Sequence, residues 1–448
     1  MEVLTMRRRK AKPKSRSNSS PYAPETRLIW GESFTPKWDY SHHVVPPVSA
    51  SSTFRLSSTK RGAKGFVEFA HHVGDFRVES RAPIYIYDRL GEPNKDLLEE
   101  NLAIAEQGEC AVTFATGMGA VSALCGILLG SGSEIVAHKM LYGCTYSLFK
   151  NWLPRYRIKV TWVDFNDIEA LEKAISPHTQ LLYFESPVNP TMELIDMRKV
   201  AEVAARHNVH RAKAHRIFTA VDNTFATPFC QRPLGLGIDF VVESLTKGLC
   251  GFGTDMGGVV VGPCWSYDHL LMYRKDFGGV LSAKSAWPIL VYGLPSLAVR
   301  FRQQIRSAQK VAEFLEHDKR IGLVNYPGLD SFRQRVLAHQ QMLDYECHFS
   351  PGTMLYFAPK GASPEERHRR ADRLVNFIAK KSYSMTLAVS LGNIRTLIEH
   401  PGSMTHSAIP PEEQEKRGID PGGIRLSVGL EHPDDIIRDL GAALDQLR

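Results

Sequence analysis

The chain lacks any uninterrupted apolar stretch long enough to cross a bilayer. Its longest apolar region, Ala120 to Leu129, is broken by Ser122 and Gly126, and a spanning helix needs about 20 such residues. A membrane role is therefore not expected. Cysteine is sparse: the seven residues at 110, 125, 144, 230, 250, 264 and 347 form no Cys-x-x-Cys pair. Neither a zinc site nor a disulfide framework is expected from that spacing, and no His-Glu-x-x-His run offers another metal site. The basic start is not followed by an apolar segment of the kind that directs export. Free thiols in a reducing, cytoplasmic setting are the matching expectation. Net charge outside the first 20 residues is also small. Of the formal +7, residues 1–20 carry +6, seven basic side chains from Arg7 to Arg16 against Glu2. The remainder is close to neutral, which speaks against a nucleic-acid-binding face. The Ser/Lys/Arg-rich tail itself is expected to be disordered.

What is present is 448 residues, 43% of them hydrophobic, enough for a large core and more than one domain. Residues 21–91 are rich in Ser, Thr and Pro and resemble an irregular arm, with a short helix predicted around Lys60 to His72. Helical and strand patterns then alternate. Asn94–Glu106 places Leu97, Leu98, Leu102 and Ala105 on one helical face. Strands are predicted at Ala111–Phe114, Glu134–Ala137, Lys159–Val163, Leu181–Glu185, Thr219–Asp222 and Phe240–Ser244. This rhythm predicts an α/β fold, a mostly parallel sheet covered on both faces. A long helical pattern begins near Lys284. A smaller α+β unit follows, with strands at Met354–Phe357 and Ile424–Val428. The expected divisions are 1–20 tail, 21–91 arm, 92–297 large domain and 298–448 small domain.

The most telling residues follow two of these strands. Glu243-Ser244-Leu245-Thr246-Lys247 puts a lysine behind a strand, and Val221-Asp222-Asn223-Thr224 ends another in a carboxylate. A pyridoxal phosphate enzyme needs both: a lysine to hold the aldehyde, and an acid to keep the pyridine nitrogen protonated so that the ring withdraws electrons. Ala115-Thr116-Gly117-Met118-Gly119 lies between a strand and a helix, where backbone amides bind phosphate well.

With further runs in the same order, these motifs resemble the Cys/Met-metabolism family of pyridoxal phosphate enzymes over roughly residues 40–448. The further runs are Tyr87-Asp88-Arg89-Leu90-Gly91-Glu92-Pro93-Asn94, Leu141-Tyr142-Gly143-Cys144-Thr145, and Glu185-Ser186-Pro187-Val188-Asn189-Pro190. Ser390-Leu391-Gly392, His400-Pro401, Met404-Thr405-His406 and Arg425-Leu426-Ser427-Val428-Gly429 complete them. The resemblance implies a fold-type I, aspartate-aminotransferase-like architecture with pyridoxal 5'-phosphate as cofactor. It implies Lys247, Tyr142 and Asp222 as catalytic residues. Lys247 would hold the cofactor and move protons, Asp222 would pair with the pyridinium, and Tyr142 would stack on the ring and protonate the departing sulfur, its pKa tuned by cationic neighbours. Gly117, Met118, Ser244 and Thr246 would bind the phosphate, with Tyr87 and Arg89 reaching it from a neighbouring subunit. Asn189 would bond the cofactor's 3-oxygen, and Thr224 lies beside Asp222. Arg425 would clamp the substrate carboxylate, with Ser390 nearby. Shared sites imply a dimer, usually a dimer of dimers.

Within the family, Cys144 and the Lys275-Asp276 pair resemble the substrate pocket of methionine γ-lyases. The expected reaction is γ-elimination of L-methionine. Cystathionine γ-lyase or γ-synthase and O-acylhomoserine sulfhydrylase are the alternatives, and a non-catalytic regulator with a nucleic-acid-binding tail is the alternative of a different class. The chain departs from the family in its basic tail, in extra residues around His207 to Arg216 and within the arm, and at three motif positions. Glu243 stands where histidine is frequent, Phe252-Gly253-Thr254-Asp255 replaces Gly-His-Gly/Ser-Asp, and Arg395 stands where many members are acidic.

Overall fold

The computed structural model describes residues 22–31, 43–69, 84–405, 412, 414 and 418–447. The basic tail 1–20 and His406 lie outside them, as do parts of the arm.

Seven strands form the larger sheet: β1 Cys110–Phe114, β2 Glu134–His138, β3 Lys159–Val163, β4 Thr179–Glu185, β5 Phe218–Asp222, β6 Phe240–Glu243 and β7 Gly258–Gly262. Their order is β1-β7-β6-β5-β4-β2-β3. The pairs β2–β3, β2–β4, β4–β5 and β5–β6 are parallel, whereas β7 runs antiparallel to both β1 and β6. The helices between the strands cover both faces, so the central strands are apolar on both sides; Leu181, Leu182, Tyr183 and Phe184 are all fully buried. The alternation of patterns predicts six of these strands and misses β7. Gly-Val-Val-Val-Gly is too short and too uniformly apolar to show a period.

The helical pattern from Lys284 is three segments rather than one. Helix Ala283–Pro288 passes through a π-turn, Ile289–Gly293, into helix Leu294–His317. Pro288 and Pro295 each remove an amide from the ladder and break its regularity. Beyond it lies a five-stranded sheet of β8 Ile321–Asn325, β9 Met354–Pro359, β10 Met385–Leu387, β11 Thr396–Glu399 and β12 Ile424–Ser427, ordered β10-β11-β12-β9-β8. Only β10 and β11 pair in parallel. Helices Leu294–His317, Pro364–Lys381 and Pro433–Leu444 pack on it through one apolar cluster that includes Val311, Leu374, Leu426 and Leu440.

The Gly91-Glu92-Pro93-Asn94 run is a helix start. Glu92 accepts from the amides of Asn94 and Lys95 at 2.9 and 3.0 Å, and Pro93 occupies the first helical position. The helix it opens, Pro93–Ala105, is tied to β1 by Glu99, which accepts from the Thr113 amide and hydroxyl. Glu99 also meets the buried Arg274 at 2.5 Å, and Arg274 donates to the Thr113 carbonyl. Such a pair contributes little net stability while intact, but one partner alone is an uncompensated buried charge. Glu99→Ala is therefore expected to lower unfolding stability in urea by about 3–5 kcal/mol, whereas replacing both partners by apolar residues should cost much less.

Candidate active site

Parallel strands bring their C-terminal ends to one edge of the sheet, and open α/β sheets place ligands there. β4 and β5 run in register, so Glu185 lies beside Asp222, and Asp222 in turn pairs with Val242 of β6, one residue before Glu243. The segment after β6 carries Ser244, Thr246 and Lys247. Segments from the second sheet close over this edge. Lys247 Nζ donates to Ser390 Oγ at 2.7 Å, and Ser390 itself has a left-handed backbone (φ 90°) that is costly outside glycine. Arg425 of β12 donates to Asn189 Oδ1 at 2.9 Å and to the Ser390 carbonyl at 3.1 Å.

Burial, then the charge of Arg425, lowers the Lys247 pKa to about 8, with Glu399 and Asp222 opposing. Burial raises Asp222, while its own bonds to Thr224 and the Lys247 charge pull it back. One Asp222 oxygen accepts from the Thr224 amide at 2.9 Å. Thr224 Oγ1 in turn accepts from the Ser244 amide at 2.9 Å, stapling the two strand ends together. Tyr142, just before the short helix Gly143–Ser147, donates its amide to Glu185 at 2.5 Å. Its hydroxyl accepts from Cys144 Sγ at 3.5 Å. The expected tuning of Tyr142 by cations is reversed within one protomer. Burial, Cys144 and Glu185 raise its pKa, and Arg425 offsets only part of that.

Thr116 caps helix Gly117–Leu128 by accepting from the Gly119 amide at 2.9 Å. The first amides of a helix have no partner within it, so those at Gly117 and Met118 can face an anion. Ser244 lies against Gly117 so closely that a Cβ there would sit 3.0 Å from Ser244 Cβ. On β7, a Cβ at Gly258 would lie 2.2 Å from the Thr116 carbonyl oxygen. Glycine at both positions lets the loop, β6 and β7 converge. Met118 Sδ accepts from the Thr145 hydroxyl, and Thr246 Oγ1 accepts from the Gly257 amide at 3.1 Å. A phosphate cradle, a lysine of lowered pKa and an acid at a strand end fit pyridoxal phosphate.

Tyr87, Arg89, Lys275 and Asp276 form a separate group. Arg89 donates to the Lys275 carbonyl and lies over the Tyr87 ring, and Lys275 pairs with Asp276 at 3.2 Å. Among the described contacts of one protomer, none joins this group to Lys247, Tyr142 or Arg425. Arg395 is exposed, and Phe252 packs under the buried Arg300.

Two acids of the site were given no role by the motifs. Glu185 is a strand-end acceptor for the Tyr142 segment. Glu399 pairs with Arg425 at 2.9 Å, both buried, and also accepts from the Thr405 hydroxyl. Its only sequence signal is its position just before His400-Pro401.

This edge, with a lysine, its acids and a second sheet above them, belongs to the fold-type I pyridoxal phosphate enzymes. The chain is a member of the Cys/Met metabolism PLP-dependent enzyme family, whose pattern it matches over residues 25–445. It is 39% identical over 408 residues to an L-methionine gamma-lyase of Porphyromonas gingivalis, covering 90% of this chain and 93% of that one. It is 35% identical over 361 residues to an O-succinylhomoserine sulfhydrylase of Mycobacterium tuberculosis, covering 80% and 84%. Among solved structures, cystathionine gamma-lyase from Lactobacillus plantarum, complexed with L-serine, superposes with a TM-score of 0.79 at 29% identity, over 95% of this chain and 99% of that one. The regulator reading is thereby set aside in favour of an enzyme.

An incoming carboxylate bound by Arg425 would compete with Glu399. Glu399→Gln keeps the acceptor for Thr405 but removes the competing charge. It is expected to lower the KM for an amino-acid substrate by about tenfold, equivalent to about 1.4 kcal/mol, measured by steady-state kinetics at neutral pH.

Proposed function

We propose that the enzyme eliminates the γ-substituent of L-methionine, converting L-methionine and water to methanethiol, 2-oxobutanoate and ammonia. The observation that carries this reading is the Cys144 thiol on the Tyr142 hydroxyl at the open side of the site. A small polarizable thiol beside the proton donor suits a compact thioether leaving group better than a long polar one. The relatives described as L-methionine gamma-lyases support it, at 36–39% identity.

Bound pyridoxal phosphate supplies the electron sink for the pair left at Cα. Lys247, released from Ser390, takes the α-proton and carries protons between neighbouring carbons. Arg425 holds the α-carboxylate by its planar donors, steadied by Asn189. Asp222 keeps the ring nitrogen protonated. Tyr142, with its raised pKa, stays protonated at neutral pH and delivers its hydroxyl proton to the departing sulfur. Gly117, Met118, Ser244 and Thr246 hold the phosphate. Tyr87 and Arg89 act on the site of a neighbouring subunit, the arm 21–91 bringing two protomers together, two such pairs making a tetramer.

A second reading, transsulfuration or sulfhydrylation of an acylated homoserine, draws on the O-succinylhomoserine sulfhydrylase relative. Turnover of the cofactor-loaded protein on L-methionine and L-cystathionine in parallel, followed by 2-oxo acid and thiol release, separates the readings. Methionine should be the faster substrate. Cys144→Gly should shift the methionine-to-cystathionine ratio of kcat/KM by about tenfold towards cystathionine, a change of about 1.4 kcal/mol, with cofactor loading unchanged. Faster cystathionine turnover by the unaltered enzyme would transfer it to the second reading.

Lys247 also sets a pH dependence. Lys247 would hold the cofactor through its neutral amine, which prevails above its pKa. Capture of pyridoxal phosphate by the cofactor-free protein should rise about tenfold per pH unit at lower pH and level off above about 8. Stopped-flow absorbance measures it, with Lys247→Ala giving no covalent chromophore.

A further inference from the structure

Glu243 departs from the family's frequent histidine, and the structure gives it an unusual neighbour. Glu243 at the end of β6 and Glu106, which follows helix Pro93–Ala105, are both fully buried and in side-chain contact with each other. One Glu106 oxygen accepts from Asn223 Nδ2 at 2.7 Å. Neither Glu243 oxygen, nor the second oxygen of Glu106, has a protein donor. Two ionised carboxylates touching in a dry interior repel strongly, and an unpartnered carboxylate costs more still. A carboxyl proton between them removes both penalties.

The pair sits directly beneath the site. Asn223 donates its side chain to Glu106 and to the Gln231 carbonyl, accepts from Gln231 Nε2 at 2.8 Å, and donates its amide to the Val242 carbonyl at 2.9 Å. Asp222 and Thr224 flank it in sequence, and Ser244 to Lys247 follow Glu243. The titratable and charged groups facing the pair are Asp222 from β5, Arg232 from the segment after Cys230, and Tyr345 from the segment after helix Arg335–Gln341. Arg232 is the one cation of that set and balances a single remaining negative charge.

We propose that Glu106 and Glu243 share a proton, with Glu243 as its holder, and act as a positioning pair that fixes the ends of β5 and β6 from which Asp222 and Lys247 project. Burial raises both carboxyls. Asn223 and Arg232 draw Glu106 back down, whereas Glu106 and Asp222 push Glu243 further up. The inference does not depend on which sulfur amino acid is turned over.

The sign of its pH effect is fixed. A carboxyl whose folded pKa is raised contributes its full stability below its unfolded value, near 4.5. That contribution falls as pH rises towards the folded value, because the folded state retains a proton the unfolded chain has released. Glu243→Gln supplies an amide donor to Glu106 without a titrating proton. Urea unfolding of the cofactor-loaded protein at pH 6, 7 and 8 should therefore show the wild type losing ground to Glu243→Gln by about tenfold in unfolding constant per pH unit. Glu106→Gln serves as the second variant and should reduce the same slope.

The positioning half is read from the cofactor's retention and visible absorption on dialysis. Glu243→Gln should keep both near wild type. Glu243→Leu, which offers no donor, should weaken retention by about tenfold or more, about 1.4 kcal/mol. Parallel pH slopes for wild type and Glu243→Gln would overturn the shared proton. Equal retention by the Leu and Gln variants would overturn the positioning role.

Discussion

Three acids end three adjacent parallel strands: Glu185 on β4, Asp222 on β5 and Glu243 on β6. Their mutual repulsion in a largely dry edge is the constraint around which the site is organised. Each is settled differently. Glu185 accepts from a backbone amide, Asp222 accepts from Thr224 and feels the Lys247 charge, and Glu243 turns towards Glu106. A parallel sheet makes this arrangement natural, because every strand in it delivers its last residue to the same edge.

The second sheet supplies the opposite charge. Arg425 approaches from β12 and Lys247 from beneath; burial lowers both cations, the charge of Arg425 lowers Lys247 further, and Glu399 draws both back. Ser390 contacts each of them, through its hydroxyl and its carbonyl. The site therefore depends on how the two sheets meet, which is decided by helix Leu294–His317 and its neighbours. Gln304 on that helix donates to the Asn393 and Val428 carbonyls, holding the loop after Ser390 and the end of β12, the strand that carries Arg425. Arg425 is held there by Glu399, Asn189 and the Ser390 carbonyl together.

Much of this was legible in the sequence, and the reasons differ by element. The six strands with a clear flanking helix were visible because alternation of period reports burial directly. β7 was not, since three valines between glycines carry no period. The break in the long helix was marked by Pro288 and Pro295, but a continuous apolar face masks such breaks. Lys247 and Asp222 were visible because their chemistry demands each other. Glu399 and Glu106 were not, because a buried acid is recognised by its partner, and those partners lie 26 and 137 residues away. The raised pKa of Tyr142 was likewise hidden, since the competition between burial and Arg425 exists only in the folded chain.

The sequence by itself determined the α/β architecture, the cofactor chemistry and the order of the motifs, because these rest on local periodicity and on residue types with few alternatives. Tertiary structure alone decided the charge pairings of Glu399 with Arg425 and of Glu106 with Glu243. Electrostatic partners are set by distance and by the exclusion of water, and neither is written along the chain.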